Sequence, residues 1–208
     1  MKATDVIIYT DMDGTALTDW SLGPVVPERN LARIRAFVSA GGLFSVASGR
    51  QAPGILQLFP GVAFHAPLVC GNGSVIYDPA EQQVLRKTCL PPDYKCACVS
   101  YFLTHPEVWI VAADETRIWQ IVSGDPARDD QLNDWPRPRM SIEDFLSGDY
   151  VKVVYILAEG GDMEALKHEV AALPGAELVT GAQSGPRYLE MVDHTVSKGV
   201  GIRQALAA

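Results

Sequence analysis

The chain has 208 residues, 48% of them hydrophobic and 20% charged, proportions of an ordinary globular protein with room for one substantial domain or two small ones. A net charge of −8, spread along the sequence rather than gathered in a tail, argues against a nucleic-acid partner, which would need a basic face. No apolar run approaches the ~20 residues of a membrane span and no signal peptide is read, so the sequence predicts a soluble cytoplasmic protein with no membrane partner.

The stretch Asp5–Thr15, DVIIYTDMDGT, organises the rest. Val6, Ile7, Ile8 and Tyr9 run unbroken into Thr10, as in a strand of a parallel sheet buried on both faces. Gly14-Thr15 ends that strand, at the sheet edge where open α/β sheets place their chemistry. A loop over 16–26 leads to a helix that Pro27 and Glu28 suit as a first turn. Leu31, Ile34, Phe37 and Val38 recur on one face of it, and Gly41-Gly42 stops it. Leu43 to Ala47 reads as a second strand, ending in Ser48-Gly49-Arg50. A short helix is predicted over Gln51–Leu58 and a third strand over Ala66–Cys70, ending in Gly71-Asn72-Gly73. Val75–Tyr77 and Gln83–Arg86 form a hairpin about Asp78-Pro79. The β-α-β-α-β order implies parallel strands with an antiparallel extension.

From Pro91 the pattern changes. A helix over Pro91–His105 precedes strands at Trp109–Ala113 and Arg117–Val122. The polar stretch Asp125–Pro138, with prolines at 126, 136 and 138, reads as an exposed insertion or irregular link. Tyr150–Leu157 is a strand, Asp162–Leu173 a helix with Met163, Leu166 and Val170 on one face, and Leu178–Thr180 and Tyr188–Val192 two further strands. This succession suggests an α+β unit with its own antiparallel sheet. The division expected is 1–87 with 191–208 as one domain and 88–190 as the other. A last helix opens at Ser197-Lys198-Gly199, where Val200, Ile202 and Leu206 could face a core. Cys70, Cys89, Cys96 and Cys98 contain no C-x-x-C pair, and the Cys96-Ala97-Cys98 spacing does not suit a zinc knuckle, so reduced thiols are expected.

Asp11 and Asp13 leave the first strand on a turn. A carboxylate nucleophile two residues from a carboxylic acid is a workable arrangement for phosphoryl transfer through an aspartyl-phosphate. Such a reaction rests on positioning and charge stabilisation, so it needs donors and positive charge around the phosphoryl oxygens. Ser48, at the end of the second strand, offers a hydroxyl; Lys198, at a helix start, offers a cation among free N–H groups. Alone, Ser48 reads as a helix cap and Lys198 as a solvated lysine. Their order behind DMDGT favours the functional reading.

DMDGT, ASGR and SKGVGI, in that order, resemble the first three motifs of the haloacid dehalogenase superfamily. GNGSVIYD and the long insertion after it resemble its Cof-type branch, the sugar-phosphatase-like hydrolases. The resemblance implies an α/β fold, a Rossmann-like parallel three-layer core with an inserted α+β cap. It implies a phosphatase acting on a small phosphorylated substrate, with sugar phosphates foremost. It makes Asp11 the nucleophile and Asp13 the general acid and base, with Ser48 and Lys198 holding the phosphoryl group. The Asp11 carboxylate and the Asp13 backbone carbonyl would bind Mg²⁺, a hard ion suited to oxygen ligands. Asn72 either lies near the site, among the phosphate-binding groups, or is simply a turn residue; Arg50 either approaches substrate or pairs with a carboxylate. In the cap, Trp109, Trp119, Arg117 and Arg187 are candidates for recognition, with packing the expected role of both tryptophans.

The family's fourth motif, an acidic loop, is expected after the SKG helix. Only ten residues follow Lys198 and none is acidic. The expectation is therefore a truncated form or a short natural variant with an incomplete Mg²⁺ ligand set. Its core would be C-terminally incomplete, the strand at Val6–Thr10 would be an edge, and the edge could drive self-association. Two further functions share the motifs: an inactive protein that binds a phosphorylated ligand, and a phosphomutase that returns the phosphoryl group to sugar.

Overall fold

The computed structural model describes residues 3–17, 24–133 and 135–208. The fold is α/β, and the chain forms two compact units. One comprises Met1–Lys87 and Val196–Ala208; the other, Thr88–Thr195, interrupts it in sequence.

In the first unit, β1 (Ile7–Thr10) runs parallel to β2 (Leu43–Val46), with Ile7 opposite Leu43 and Thr10 opposite Val46. Between them lies α1 (Glu28–Ser39), for which Pro27 is the N-cap rather than the first helical residue. Beyond β2, Ala47 makes a parallel bridge to Val69 of β3 (Leu68–Cys70), so the parallel order continues for one more strand. The connecting helix is α2 (Ala52–Leu58). β4 (Val75–Asp78) and β5 (Gln83–Lys87) follow β3 as an antiparallel extension. Asp78 closes their turn by accepting the Ala80 N–H at 2.8 Å. Phe44, Phe59 and Phe64 meet with ring centroids 5.8 to 6.1 Å apart, a tilted arrangement that suits aromatic quadrupoles.

Two expectations for this unit change. The apolar run of β1 does not mean burial on both faces: Ile8 is 42% exposed, and among the described residues β2 is the one strand β1 pairs with. In the last helix, α7 (Lys198–Ala205), Leu206 lies beyond the C-terminus and is 56% exposed. The residues α7 buries are small, Gly201 and Ala205, with Ile202 packed beside Val69 and Ile76. A helix seated closely on a turn as well as on β3 and β4 needs small residues at the contact, which a hydrophobic pattern does not register.

In the second unit six strands pair in the order β10-β11-β9-β6-β7-β8. These are β6 (Val108–Ala113), β7 (Ile118–Ile121), β8 (Arg139–Met140), β9 (Lys152–Leu157), β10 (Val179–Gln183) and β11 (Tyr188–Asp193). All neighbours are antiparallel except β7 and β8. The central strands β6 and β9 are buried along their whole length. Their alternate residues serve two cores, as the two-residue period of a strand requires. Val108, Ile110, Val153 and Tyr155 join the larger one with α3 (Pro92–Thr104), α5 (Ile142–Ser147) and α6 (Met163–Ala171). Trp109, Val111, Val154 and Ile156 form the smaller one with Leu132. Because β11 keeps pairing to Asp193, residues 191–195 lie with this unit, not with the flanking one as expected.

The stretch from Asp125 to Pro138 is not merely an exposed link. It contains α4 (Pro126–Asp129), capped by the Asp125 carboxylate at 3.0 Å from the Ala127 N–H. Asp129 is 3% exposed and accepts from Ser123 N–H and its hydroxyl, both at 2.9 Å. Arg128 donates to the Phe102, His105 and Val108 carbonyls at 2.6 to 2.9 Å, the first two at the C-terminal end of α3, where carbonyls lack helical partners, and the third at the start of β6. Lys95 does the same for α5, reaching Leu146 and Gly148 carbonyls at 2.8 and 2.6 Å. The two tryptophans are held in place: Trp109 donates to the Arg128 carbonyl and Trp119 to Asp114. Arg117 lies over the Trp119 ring, and Arg187 donates to the Leu157 carbonyl. Among the described residues no helix is long and apolar enough to cross a membrane. The four cysteines form no disulfide; burial pushes the Cys70 and Cys98 thiols up to about 12, which leaves them inert.

Candidate active site

β1 ends at Thr10, and the two carboxylates sit on the turn that follows. The Thr10 hydroxyl donates to the Asp11 carbonyl at 2.8 Å, and Asp11 Oδ1 accepts the Met12 N–H at 2.7 Å. Met12 is fully buried and anchors the turn, while Asp13 is exposed. Gly14, at φ +74°, lets the chain fold back so that its N–H reaches the Leu17 carbonyl at 3.1 Å. A residue with Cβ is strained in that conformation. Burying the middle residue sends its neighbours outward, which is why D-x-D rather than D-D serves here.

Four segments of the first unit, this turn being the first, come together here. Lys198, the first residue of α7, places Nζ 2.7 Å from Asp11 Oδ2 across a separation of 187 residues. Arg50 forks onto Asp13, Nε to Oδ2 at 3.1 Å and Nη2 to Oδ1 at 2.8 Å. Ser48 is fully buried, and its Oγ accepts the Arg50 N–H at 3.3 Å, which leaves its own proton to donate. Asn72 sits at φ 60°, ψ 21°, donates its N–H to the Ser48 carbonyl at 3.0 Å, and lines the side chain against Gly49. A Cβ on Gly49 would stand 2.8 Å from Asn72 Oδ1.

The third segment holds the fourth through two glycines. A Cβ on Gly73, at φ +106°, would meet the Ser197 carbonyl oxygen at 2.2 Å; one on Gly201 would meet Val69 Cγ1 at 2.5 Å. The N-terminus of α7, capped by Ser197 Oγ at 3.1 Å from the Val200 N–H, therefore rests directly on the Gly71–Gly73 turn. That contact fixes where Lys198 begins its reach. Sequence reading took GNG for a turn and missed this role; glycines in both G-N-G and S-K-G-V-G were the available signal.

Asp11 uses each carboxylate oxygen once, and among the described residues nothing hydrogen-bonds to the Asp13 carbonyl. These oxygen donors fit a Mg²⁺ ion that keeps most of its shell as water and substrate oxygens. Among the described residues no three His, Cys, Asp or Glu side chains gather into a metal cluster.

Residues 8–208 match the haloacid dehalogenase-like hydrolase family. A 5-amino-6-(5-phospho-D-ribitylamino)uracil phosphatase of Escherichia coli K12 is 31% identical over 121 residues, 58% of this chain and 43% of that one. The chain thus matches less than half the length of that relative. Among solved structures, the subclass IIB sugar phosphatase BT4131 is similar at a TM-score of 0.74 and 16% identity, covering 97% of this chain and 75% of that one. TM0651 from Thermotoga maritima is similar at 0.70 and 22% identity, with 96% and 73% covered.

Proposed function

The chain belongs to the haloacid dehalogenase-like hydrolase family, and on that premise we propose that it hydrolyses the phosphate ester of a small metabolite, a sugar phosphate or a phosphorylated polyol, through an aspartyl-phosphate. The observation that carries this reading is the pairing of Asp11, at the carboxyl end of β1, with Lys198 at 2.7 Å. A free surface lysine would have no reason to be held there by two glycine contacts. The named relatives support the substrate class: one acts on sugar phosphates, the other on a phosphorylated ribityl chain.

Asp11 attacks phosphorus with one carboxylate oxygen, and the bond from phosphorus to the ester oxygen breaks. The departing oxygen takes its proton from Asp13, which is left as a carboxylate. Water then attacks the aspartyl-phosphate and gives its proton to Asp13; phosphate departs and the Asp11 carboxylate returns. Lys198 and the Ser48 hydroxyl hold the phosphoryl oxygens, whose charge must be matched throughout. Asn72 keeps the Ser48 loop in place from the neighbouring turn. The Asp11 carboxylate and the Asp13 carbonyl would hold Mg²⁺, which when bound neutralises phosphoryl charge.

The test is phosphate release from a panel of sugar phosphates, phosphorylated polyols and p-nitrophenyl phosphate in the presence of Mg²⁺. The intact chain is expected to turn over, and Asp11→Asn to fall to background, because an amide cannot form the acyl-phosphate. Equal rates for Asp11→Asn and the unaltered chain, or no turnover of any ester, would remove the reading.

A further inference from the structure

We propose that Arg50 is a positioning residue for the proton transfers, a role that rests on the hydrolase reading above. Its guanidinium spends Nε and Nη2 on the two oxygens of Asp13, at 3.1 and 2.8 Å. A planar fork matches a carboxylate in one relative orientation, so it fixes both where the carboxylate lies and how it is rotated. Lysine, with a point charge, would fix neither.

The backbone of Arg50 is held as firmly as its head. Its N–H donates to Ser48 Oγ at 3.3 Å and its carbonyl accepts the Gly71 N–H at 3.1 Å. Arg50 therefore ties the Asp13 turn, the loop after β2 and the turn after β3 together through three sets of hydrogen bonds. Asp13 is exposed and stands on a glycine turn, with its side chain 44% accessible. Left alone, such a side chain would sample several rotamers, and the fraction aimed at the ester oxygen would be small.

The fork suits one half of the cycle in particular. A carboxylate can accept both N–H groups with two lone pairs, whereas a protonated acid keeps one oxygen as a donor and can accept the fork only in part. In the first half-reaction the P–O ester bond breaks, its electron pair takes the Asp13 proton, and the resulting carboxylate is received by Arg50. In the second, the carboxylate takes a proton from water as the water oxygen bonds to phosphorus. Arg50 holds Asp13 between these two steps, when the general base must be ready and correctly turned.

The leaving group separates this role from simple phosphate binding or structural support. Departure of p-nitrophenolate needs no proton, whereas an alkoxide needs the acid. Under the proposal, Arg50→Lys and Arg50→Ala lower the aspartyl-phosphate formation rate for an alkyl phosphate such as a sugar phosphate by roughly ten- to a hundredfold, measured in a single turnover. The same step with p-nitrophenyl phosphate changes by less than about threefold. In an Asp13→Ala background, Arg50→Ala adds nothing further to the alkyl-phosphate defect, since the group it positions is gone. Equal losses on both esters, or full additivity with Asp13→Ala, would overturn the proposal while leaving the hydrolase reading intact. An unaltered chain inactive on both esters would remove the two together. Thermal melting of the Arg50→Lys protein, expected within a few degrees of the parent, keeps the comparison among folded enzymes.

Discussion

Single side chains decide stability here in ways that charge alone would not reveal. Asp114 is desolvated by burial, which favours its neutral form, yet hydrogen bonds from Trp119, Thr116 and Arg117 outweigh that and hold its carboxyl below the ordinary range. A carboxylate whose folded pKa is depressed stabilises the fold fully above the unfolded value near 4 and loses the contribution as pH falls through the folded one. Stability of the second unit should therefore decline on acidification below about pH 4. Asp114→Asn should be less stable than the parent at pH 7 but should show a flatter profile across that window. Urea denaturation at a series of pH values checks both; a profile as steep as the parent's would exclude Asp114 as the source. The residue scale is also where the sequence was most readable. Asp11, Asp13 and Lys198 could be singled out as candidates from motif type and order, and the structure brings Lys198 to Asp11 and Arg50 to Asp13. Burial of Met12 and the two-point grip of Arg50 on Asp13 were not legible, since each depends on partners dozens of residues away.

At the scale of elements, the question is what each helix or strand is seated on. α7 meets the backbone of the preceding turn at Gly73 and the Val69 side chain at Gly201, so Gly73→Ala should cost at least ~1–3 kcal/mol for the left-handed conformation alone, with more from the clash against Ser197. Chemical denaturation of the variant measures it, and a loss under ~0.5 kcal/mol, the range of ordinary surface changes, would show that the turn can yield. β1 poses the opposite case. With Ile8 exposed and one strand partner among the described residues, its outer edge offers unpaired backbone groups to another chain. Self-association that rises with concentration is expected, and Ile8→Lys should shift sedimentation toward monomer; a parent monomeric throughout would refute the idea. Strands and long helices were readable because their periodicity is local. α4 was hidden by prolines that usually mark loops, although Pro126 sits in the first turn, where a missing N–H costs nothing. Its stability comes from Asp129 buried beneath Ser123 and from Arg128 on the end of α3, contacts that no local pattern announces. Leu206 misled for the converse reason, being apolar and in phase but past the last supported turn.

At the scale of the whole chain, one unit is continuous in sequence and the other is split by it. Thr88–Thr195 is unbroken in sequence, whereas its companion draws on both Met1–Lys87 and Val196–Ala208. The Lys198–Asp11 contact closes that separation, and the cluster of Ala47, Val69, Ile76 and Ala205 fills only when α7 arrives. On the ribosome these facts set a birth order. The first five strands emerge early but wait, with Val69 and Ile76 uncovered, while the whole of the second unit is made and can fold by itself. These strands are thus made before the second unit and mature after it. Refolding followed by pulsed amide exchange should show β6 and β9 protected before β3, and the reverse order would contradict it. The candidate site, by the same reasoning, is assembled at one moment: Asp11 is synthesised before the second unit and Lys198 after it, so the two meet only once Thr88–Thr195 has been made.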